Sequence, residues 1–292
     1  MRGIGIRKRI WVGMLIAGLS FASGCERFRD TSAIKEEHPQ RQDSPSPTPS
    51  SVHLAFGNPS NAIQDADSFD NYLVVGENST FSYNNSRGTV NWVSWRTTKA
   101  DLGDSRPRPD FRPDMRLPNG FKRIGYYDYS GSGYDRGHMV PSADRFANAA
   151  LNEETFMMTN IVPQTGALNQ YPWNKLEQYA RSQAWRGFDA YQIAGVYGEK
   201  GWLKNKVAVP TNCWKVIALV PRGRSADQID DRTRIIAVDM PNIDGIEDEP
   251  WESYATTVRA IEERTGYDLF AFLPRELQDK IETRKEIRSP TG

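Results

Sequence analysis

Short segments in which apolar and polar residues alternate recur along this chain and outnumber its helical patterns. Such alternation is typical of β-strands with at least one buried face. The strand patterns are not separated by regularly spaced helices, which disfavours a doubly wound parallel sheet. The pattern predicts an α+β fold with a largely antiparallel sheet. The predicted strands are residues 72–76, 80–83, 90–97, 191–197, 206–209, 214–220 and 234–238.

Two segments show helical periodicity. In residues 173–185 the apolar side chains fall on one helix face. A final helix is predicted from about Pro250 to Gly266, because proline is favoured inside a helix start and glycine just after its end. Residues 99–120 are crowded with Pro, Asp and Arg and predict a long loop. Loops of that length are usually functional or disordered.

The N-terminal residues differ in composition from the rest. Residues 1–25 combine basic residues, a short apolar run and small residues before Cys25, which predicts a bacterial export signal. The signal also resembles that of a lipoprotein, in which Cys25 is lipidated, although Ala22 stands where leucine is usual. Lipidation and ordinary cleavage are the two alternatives. The apolar run is short for a bilayer, which needs about 20 apolar residues.

The predicted domain organisation follows from composition. Residues 26–58 are rich in Ser and Pro and predict a flexible spacer. Residues 59–279 form one predicted folded domain, and residues 280–292 a polar C-terminal tail. The expected location is outside the cytoplasm, either as a lipoprotein that contacts the membrane only through its anchor or as a secreted or periplasmic protein. Loss or lipidation of Cys25 leaves Cys213 alone, expected as a buried thiol in a strand.

Charge is balanced over the whole chain, with 37 Lys and Arg against 37 Asp and Glu. Basic residues nevertheless outnumber acidic ones between Arg87 and Arg145, and the balance reverses after Ser225. A basic stretch attracts phosphate groups. Two solvated faces of opposite sign are the alternative interpretation.

Histidine is scarce in this sequence. Of the three histidines, His38 and His53 fall in the predicted spacer, which leaves His138 alone in the predicted domain. It follows a glycine-rich turn at 130–133 and the residues Asp135-Arg136-Gly137. An imidazole titrates near neutral pH, so His138 is a candidate general base. A lone structural histidine is the alternative, and the polar and glycine neighbours do not suit a core position.

The residue types around His138 favour a hard metal ion. No second histidine and no cysteine pair lies nearby, which disfavours zinc. Magnesium prefers oxygen ligands and retains several waters. Downstream oxygen donors are Asn160, Asn169 and Glu177. The alternatives are turn-shaping roles for the asparagines and a capping box between Asn174 and Glu177.

A series of residues in order resembles the DNA/RNA non-specific endonuclease family, of the His-Me finger (ββα-metal) class. The series is Asp135-Arg136-Gly137-His138, Pro141, Asn160, Pro163-Gln164, Asn169, Trp173 and Leu176-Glu177. The resemblance implies an enzyme with a ββα-metal active-site module that hydrolyses phosphodiester bonds of DNA and RNA. The implied cofactor is one magnesium ion, or manganese or another divalent cation.

The same resemblance implies roles for individual residues. His138 would activate water, Asn169 would bind the metal, and Glu177 would hold metal-bound waters. Asn160 would fix His138 or the local network, and Arg136 would contact phosphate or brace the site. Family members also use an upstream arginine to stabilise the charged transition state. Of the two candidates for it, Arg108 is favoured over Arg106.

Sequence-non-specific cleavage is expected because no base-reading module is recognisable. Two alternatives to an endonuclease stay open: an inactive surface lipoprotein that binds nucleic acid, and a phosphodiesterase of another substrate class. The sequence indicates neither an inhibitor protein nor an oligomeric state. Four tyrosines just before the site either stack on bases of single strands or are half-buried. They are Tyr126, Tyr127, Tyr129 and Tyr134.

Overall fold

The strands of the protein follow the alternation of its sequence. The computed structural model describes residues 51–286. Its strands are β1 (Tyr72–Val75), β2 (Thr80–Asn84), β3 (Thr89–Thr97), β4 (Asp135–His138), β5 (Ile161–Gln164), β6 (Phe188–Tyr197), β7 (Gly201–Leu203), β8 (Val207–Val209), β9 (Asn212–Pro221), β10 (Arg234–Pro241) and β11 (Ala255–Thr256). One seven-stranded sheet has the order β1-β2-β3-β6-β9-β10-β11. Every pair in it is antiparallel, which confirms the predicted α+β class.

Two smaller antiparallel pairs complete the strands, β4 with β5 and β7 with β8. The helices are α1 (Ala149–Glu154), α2 (Gly166–Leu168), α3 (Asn174–Trp185), α4 (Val258–Thr265) and α5 (Arg275–Ile281). A π-helical turn at Asn169–Trp173 joins α2 to α3. In residues 51–286 we find no helix with the length and apolarity needed to cross a bilayer.

The large sheet is buried on both faces. Side chains of successive strand residues point to opposite faces, so β9 contributes to two hydrophobic clusters. Ile217 packs in the cluster that includes Leu176 of α3. Trp214 packs in a second cluster with Val258 of α4 and Phe270. The helix that carries the candidate site residues therefore packs on one face of the sheet, and α4 on the other.

The prediction for the last helix was wrong in two respects. Residues Trp251–Tyr254 form a 3-10 turn, and Ala255–Thr256 pair with β10 as β11. The helix begins only after Thr257, whose side chain accepts a hydrogen bond from the Ala260 N–H and caps the helix. It ends as predicted at Gly266, which has a left-handed φ of 75°. A further helix, α5, follows it.

The folded region extends beyond both predicted boundaries. Residues 51–58 were assigned to the spacer, but Leu54 and Phe56 are buried in the second cluster. At the other end, Ile281 and Glu282 are fully buried although they fall in the predicted tail. A few buried apolar side chains attach both segments to the second cluster. The predicted export signal with Cys25, the spacer residues 26–50 and residues 287–292 lie outside the described residues.

The earlier start also places a second histidine in the fold. The His53 ring lies 2.8 Å through Nε2 from the Glu77 carbonyl oxygen, and its Nδ1 accepts a 3.2 Å hydrogen bond from the Arg96 N–H. The prediction that His138 is the only histidine of the folded domain was therefore wrong. His53 is structural, because both of its ring nitrogens are occupied by backbone groups.

Candidate active site

The site is built by β4, β5 and the helical segment that follows them. β4 and β5 are antiparallel, with His138 opposite Ile161 and Asp135 opposite Gln164. The chain then enters α2, the π turn and α3 with only Thr165 in between. This order, two paired strands and a helix, is the ββα arrangement that the resemblance implied.

Gly137 permits the close pairing of β4 with β5. A Cβ at this position would lie 1.9 Å from Oε1 and 2.8 Å from Cγ of Gln164. Gln164 is fully buried, so its side chain has no solvent to swing into. Only glycine fits between Arg136 and His138 while Gln164 keeps this position.

His138 lies at the end of β4 against two aromatic rings. Its ring centroid is 4.9 Å from that of Phe156 and 5.5 Å from that of Phe111. Its Nε2 atom is shielded from solvent and has no hydrogen-bond partner among the described residues. Burial, assisted by the positive charge of Arg108, lowers the pKa of His138 to about 3. The imidazole is therefore neutral near pH 7, with a ring nitrogen free to accept a proton.

Asn160 fixes the chain that follows His138. Its backbone oxygen accepts a 2.9 Å hydrogen bond from the Met139 N–H. Its side chain pairs with the backbone of Val140, through Oδ1 at 2.9 Å and Nδ2 at 3.0 Å. Nδ2 also donates to the Thr155 carbonyl at 2.9 Å. All polar groups of the buried side chain are thus engaged, so Asn160 positions the end of β4 and has none left for substrate.

Asn169 opens the π turn and is held by β4. Its Nδ2 donates a 3.0 Å hydrogen bond to Asp135 Oδ2, which also accepts one from Gln170 at 2.8 Å. This contact orients the amide and leaves Oδ1 as a free acceptor. Pro172 lies inside the turn. A proline has no N–H to donate to the preceding turn, so a regular α-helix cannot continue through this position.

Glu177 lies in α3 and pairs with a buried lysine. Its Oε1 is 3.6 Å from Nζ of Lys215, whose side chain is fully buried. Burial raises the pKa of Glu177 to about 7, and the charge of Lys215 opposes that shift. The helix start does not use this carboxylate, because residue Trp173 before α3 is already helical and no capping hydrogen bond forms. The structure therefore does not support the capping-box alternative.

Lys215 was missed by the sequence analysis. It projects from β9 between two indoles, with Nζ 4.2 Å from the Trp173 ring centroid and 5.3 Å from that of Trp95. Nζ is buried and makes no hydrogen bond within the described part of the chain. The signal was present in the sequence: a lysine interrupts the apolar strand from Cys213 to Val220. A charge in a doubly buried strand requires a partner.

Three of the candidate site residues share one cleft, with a cavity volume of about 360 Å³. His138, Asn169 and Glu177 line it, together with Arg181. Arg181 follows Glu177 by one helical turn and was also missed. Its guanidinium forms a 3.1 Å ion pair with the buried Asp144. The spacing of four residues in the predicted helix was the available signal.

The three predicted arginines occupy different places. Arg108 lies 4.9 Å from the Phe111 ring centroid and 5.9 Å from that of Phe156, the two rings that pack on His138. Arg106 instead donates hydrogen bonds to the carbonyl oxygens of Phe146 and Ala147. The position of Arg108 beside the His138 rings therefore favours it for the upstream role.

Arg136 braces the approach to the site. Its guanidinium carbon lies 3.8 Å from the Tyr126 ring centroid, and its Nη2 donates a 2.8 Å hydrogen bond to the Tyr126 carbonyl. Arg136 is not among the residues that line the cleft. Of the two predicted roles, bracing is the one that its contacts match.

The donor atoms of the cleft fit a hard divalent cation. The free Oδ1 of Asn169 and the carboxylate of Glu177 are oxygen donors, and both residues line the cleft. Cysteine is absent from the lining, and His138 is its one histidine. Oxygen donors with room for several waters match magnesium or manganese, whereas zinc prefers sulfur and nitrogen.

Sequence comparisons identify the family of this chain. The sequence profile described as DNA/RNA non-specific endonuclease matches residues 57–276. The chain belongs to this family. A nuclease from Nostoc sp. is 42% identical over 236 residues, which cover 80% of this chain and 86% of the relative. Human mitochondrial endonuclease G is 34% identical over 196 residues, 62% of this chain and 63% of the relative.

A solved structure supports the fold of this endonuclease. The crystal structure of the EndoG/EndoGI complex, on the mechanism of EndoG inhibition, contains a chain that superposes with a TM-score of 0.65 at 25% identity. The match covers 83% of this chain and 100% of that one. The protein is thus a hydrolase of the non-specific endonuclease type with a ββα-metal fold, as predicted, and nucleic acids are its substrate class. The family is metal-dependent.

Proposed function

We propose that the enzyme hydrolyses phosphodiester bonds of DNA and RNA with His138 as general base and one Mg²⁺-type ion held by Asn169. The proposal rests chiefly on His138, which lines the same cleft as Asn169 and Glu177 and whose shielded Nε2 has no hydrogen-bond partner among the described residues. A neutral imidazole accepts a proton without first losing one. The alternative functions are a binding protein without activity and a phosphodiesterase for other substrates. A cleavage assay also tests these alternatives.

The residues of the cleft would have different roles in the reaction. His138 takes a proton from water as the water oxygen attacks phosphorus, and the ester oxygen leaves with a proton from a second water. Glu177 and the Asn169 amide orient water in the cleft. When bound, the metal ion would neutralise charge on the phosphate and acidify a coordinated water. Arg108 and Arg181 add positive charge where the phosphorane develops.

The test uses purified full-length protein. Supercoiled plasmid and a folded RNA are each incubated with protein and Mg²⁺, Mn²⁺ or EDTA, and strand breaks are followed on gels. Cleavage of both nucleic acids with metal, and none with EDTA, is expected. Intact substrates under every metal condition would exclude the endonuclease. Activity that persists in EDTA would exclude the metal role.

The base assignment has a separate test. His138→Ala should lower the cleavage rate by about 100-fold or more, because general base catalysis contributes on that order. Binding of DNA by this variant in EDTA should match that of wild type, as measured by fluorescence anisotropy. His53→Ala is the matched histidine control, since His53 makes only backbone contacts outside the cleft. A His138→Ala variant with wild-type rates would refute the assignment.

We further propose that the protein is exported and anchored through a lipid on Cys25. The support is the residue pattern of positions 1–25. Mass spectrometry of the mature protein made in a bacterial host is expected to give a lipidated N-terminal cysteine. A mature N-terminus after Cys25 without lipid would instead indicate ordinary cleavage and a secreted or periplasmic enzyme.

A further inference from the structure

A second cleft lies beside the N-terminal end of β4, with a cavity volume of about 380 Å³. Tyr134 lines it from the residue before β4, and Trp202 of β7 lines it from the other side. Lys204, from the turn between β7 and β8, also lines it. This second cleft shares no lining residue with the His138 cleft.

Aromatic rings are exposed in and around the second cleft. The exposed fraction is 41% for Trp202, 46% for Tyr126 and 78% for Tyr127. Large aromatic side chains are normally covered in a protein of this size. Their exposure side by side is costly unless a ligand uses the ring faces.

Three lysines lie near these rings, together with the carboxylates of Asp128 and Glu199. Lys204 donates a hydrogen bond from Nζ to the Tyr127 carbonyl, which ties the cleft to the exposed tyrosine. Nζ of Lys122 lies 5.7 Å from the Trp202 ring centroid, and Nζ of Lys200 lies 5.4 Å from that of Tyr134. Alternating rings and cations are the composition of surfaces that bind single-stranded nucleic acids, where bases stack and phosphates meet charge.

The second cleft is connected to the His138 cleft along β4. Tyr134, Arg136 and His138 are alternate residues, so in an extended strand their side chains share one side. Four residues of strand span about 13 Å, a distance of a few nucleotides. Arg136 lies between the ends and stacks on Tyr126. A nucleic-acid strand that is cleaved at His138 would therefore pass Arg136 and reach the exposed aromatic rings.

We propose that the second cleft, with Tyr126 and Tyr127, binds unstacked bases of a single-stranded segment that flanks the scissile phosphate. The proposal rests on the proposed function, because it extends the substrate away from His138. A single strand is the fitting occupant, since duplex bases have no free face for a ring to stack on. Stacking accepts every base, so such a subsite adds affinity for single strands without sequence preference.

Binding of a fluorescent (dT)20 to full-length protein tests the subsite. Measurements use the His138→Ala background with EDTA, which keeps the DNA intact, and fluorescence anisotropy gives Kd. Trp202→Ala and Tyr127→Ala should each raise the Kd for (dT)20 roughly tenfold, the loss expected for one base stack. Trp202→Phe is the matched control and should stay within about threefold, because it keeps a ring.

A 20-base-pair duplex is the second probe. Its Kd should change less than that of (dT)20 in both alanine variants, because duplex binding uses phosphate contacts. Unchanged (dT)20 affinity in both alanine variants, or equal losses for the two probes, would overturn the subsite. A protein-binding role for these rings would give the first of those outcomes. The proposed function is tested separately, because its measurement is whether the wild-type protein cleaves plasmid and RNA. The subsite could therefore be refuted while the nuclease activity is confirmed, and the reverse.

Discussion

At the scale of single residues, the shielding of His138 affects stability as well as catalysis. Burial and the neighbouring Arg108 lower the pKa of His138 to about 3, against 6.5 for an exposed histidine. Between those two values the unfolded chain binds a proton that the folded protein does not. The unfolded state is therefore favoured progressively as the pH falls below 6.5.

We accordingly expect the unfolding free energy of wild type to fall between pH 7.5 and pH 5 relative to that of His138→Gln. Glutamine does not titrate, so this variant removes only the contribution of His138. Urea unfolding in EDTA at several pH values measures the difference. His53→Gln should show a pH-dependent shift of the same sign, because burial also lowers the pKa of His53. A constant difference across the range would show that His138 is not shielded.

Lys215 and Glu177 form the second residue-scale feature with consequences for activity. The lysine charge opposes the burial that raises the pKa of Glu177 to about 7. Its Nζ lies 3.6 Å from the carboxylate and between the Trp173 and Trp95 rings. The charge of Lys215 thus favours the ionised form of Glu177, and its contact with the carboxylate makes Lys215 a candidate positioning residue.

Lys215→Met should raise the pKa of Glu177 further, so that the carboxyl is protonated at neutral pH. We expect the Mg²⁺ concentration for half-maximal cleavage to rise several-fold at pH 7, and the defect to shrink at pH 8.5. Metal titrations of cleavage at both pH values measure this. Cys213→Ala, a buried change on the same face of β9, controls for packing. A defect of equal size at both pH values would indicate a purely structural role.

At the scale of elements, the pairing of β4 with β5 determines where His138 lies. A Cβ on residue 137 would meet Gln164 Oε1 at 1.9 Å, and the buried Gln164 cannot move away. Gly125 gives the comparison, because a Cβ there would be 3.8 Å from its nearest neighbour. The glycine of the Asp-Arg-Gly-His sequence is therefore a steric requirement of this strand pair.

Gly137→Ala should lower stability by about 1–3 kcal/mol, the usual cost of overpacking, and reduce cleavage strongly by displacing His138. Thermal unfolding and initial rates measure the two effects. Gly125→Ala should leave both nearly unchanged. Adding Gln164→Ala to Gly137→Ala removes the clashing side chain and should restore part of the activity. Failure of the double variant to recover any activity would exclude the proposed clash as the cause.

The helix α3 and the π turn before it show what hydrophobic periodicity can and cannot predict. The predicted helix of residues 173–185 agrees with α3, because Leu176, Ala180 and Ala184 pack on the sheet. The π turn with Asn169 and Pro172 was not predicted, since an apolar pattern of period 3.6 carries no sign of a wider turn. Proline inside a helical segment was the available signal.

At the scale of the whole molecule, residues 51–58 belong to the folded domain. The Phe56 ring packs 5.4 Å from Tyr191 of β6 and 5.1 Å from Phe270, measured between centroids. The segment therefore closes the cluster on the face of the sheet opposite to the active site. The predicted boundary was too late, although Val52, Leu54 and Phe56 already depart from the Ser/Pro-rich composition before them.

Phe56→Ala in the full-length chain should lower the unfolding free energy by about 3–5 kcal/mol, as other buried Phe→Ala changes do. Val52→Ala, whose side chain is half exposed in the same segment, should cost under about 1 kcal/mol. Urea unfolding measures both. Equal, small losses would place residues 51–58 outside the cooperative fold.

The antiparallel sheet, the helix α3, the family and the order of His138, Asn169 and Glu177 could all be predicted from the sequence. These depend on periodicity and on residue types at short spacings, which are local properties of a chain. The tertiary structure places Arg108, which the sequence already favoured over Arg106, beside the rings that pack on His138. The contact of Lys215 with Glu177 and the position of Arg181 in the cleft are seen only in the folded structure. Those contacts unite residues far apart in the chain, and packing across the sheet sets their distances, charges and burial.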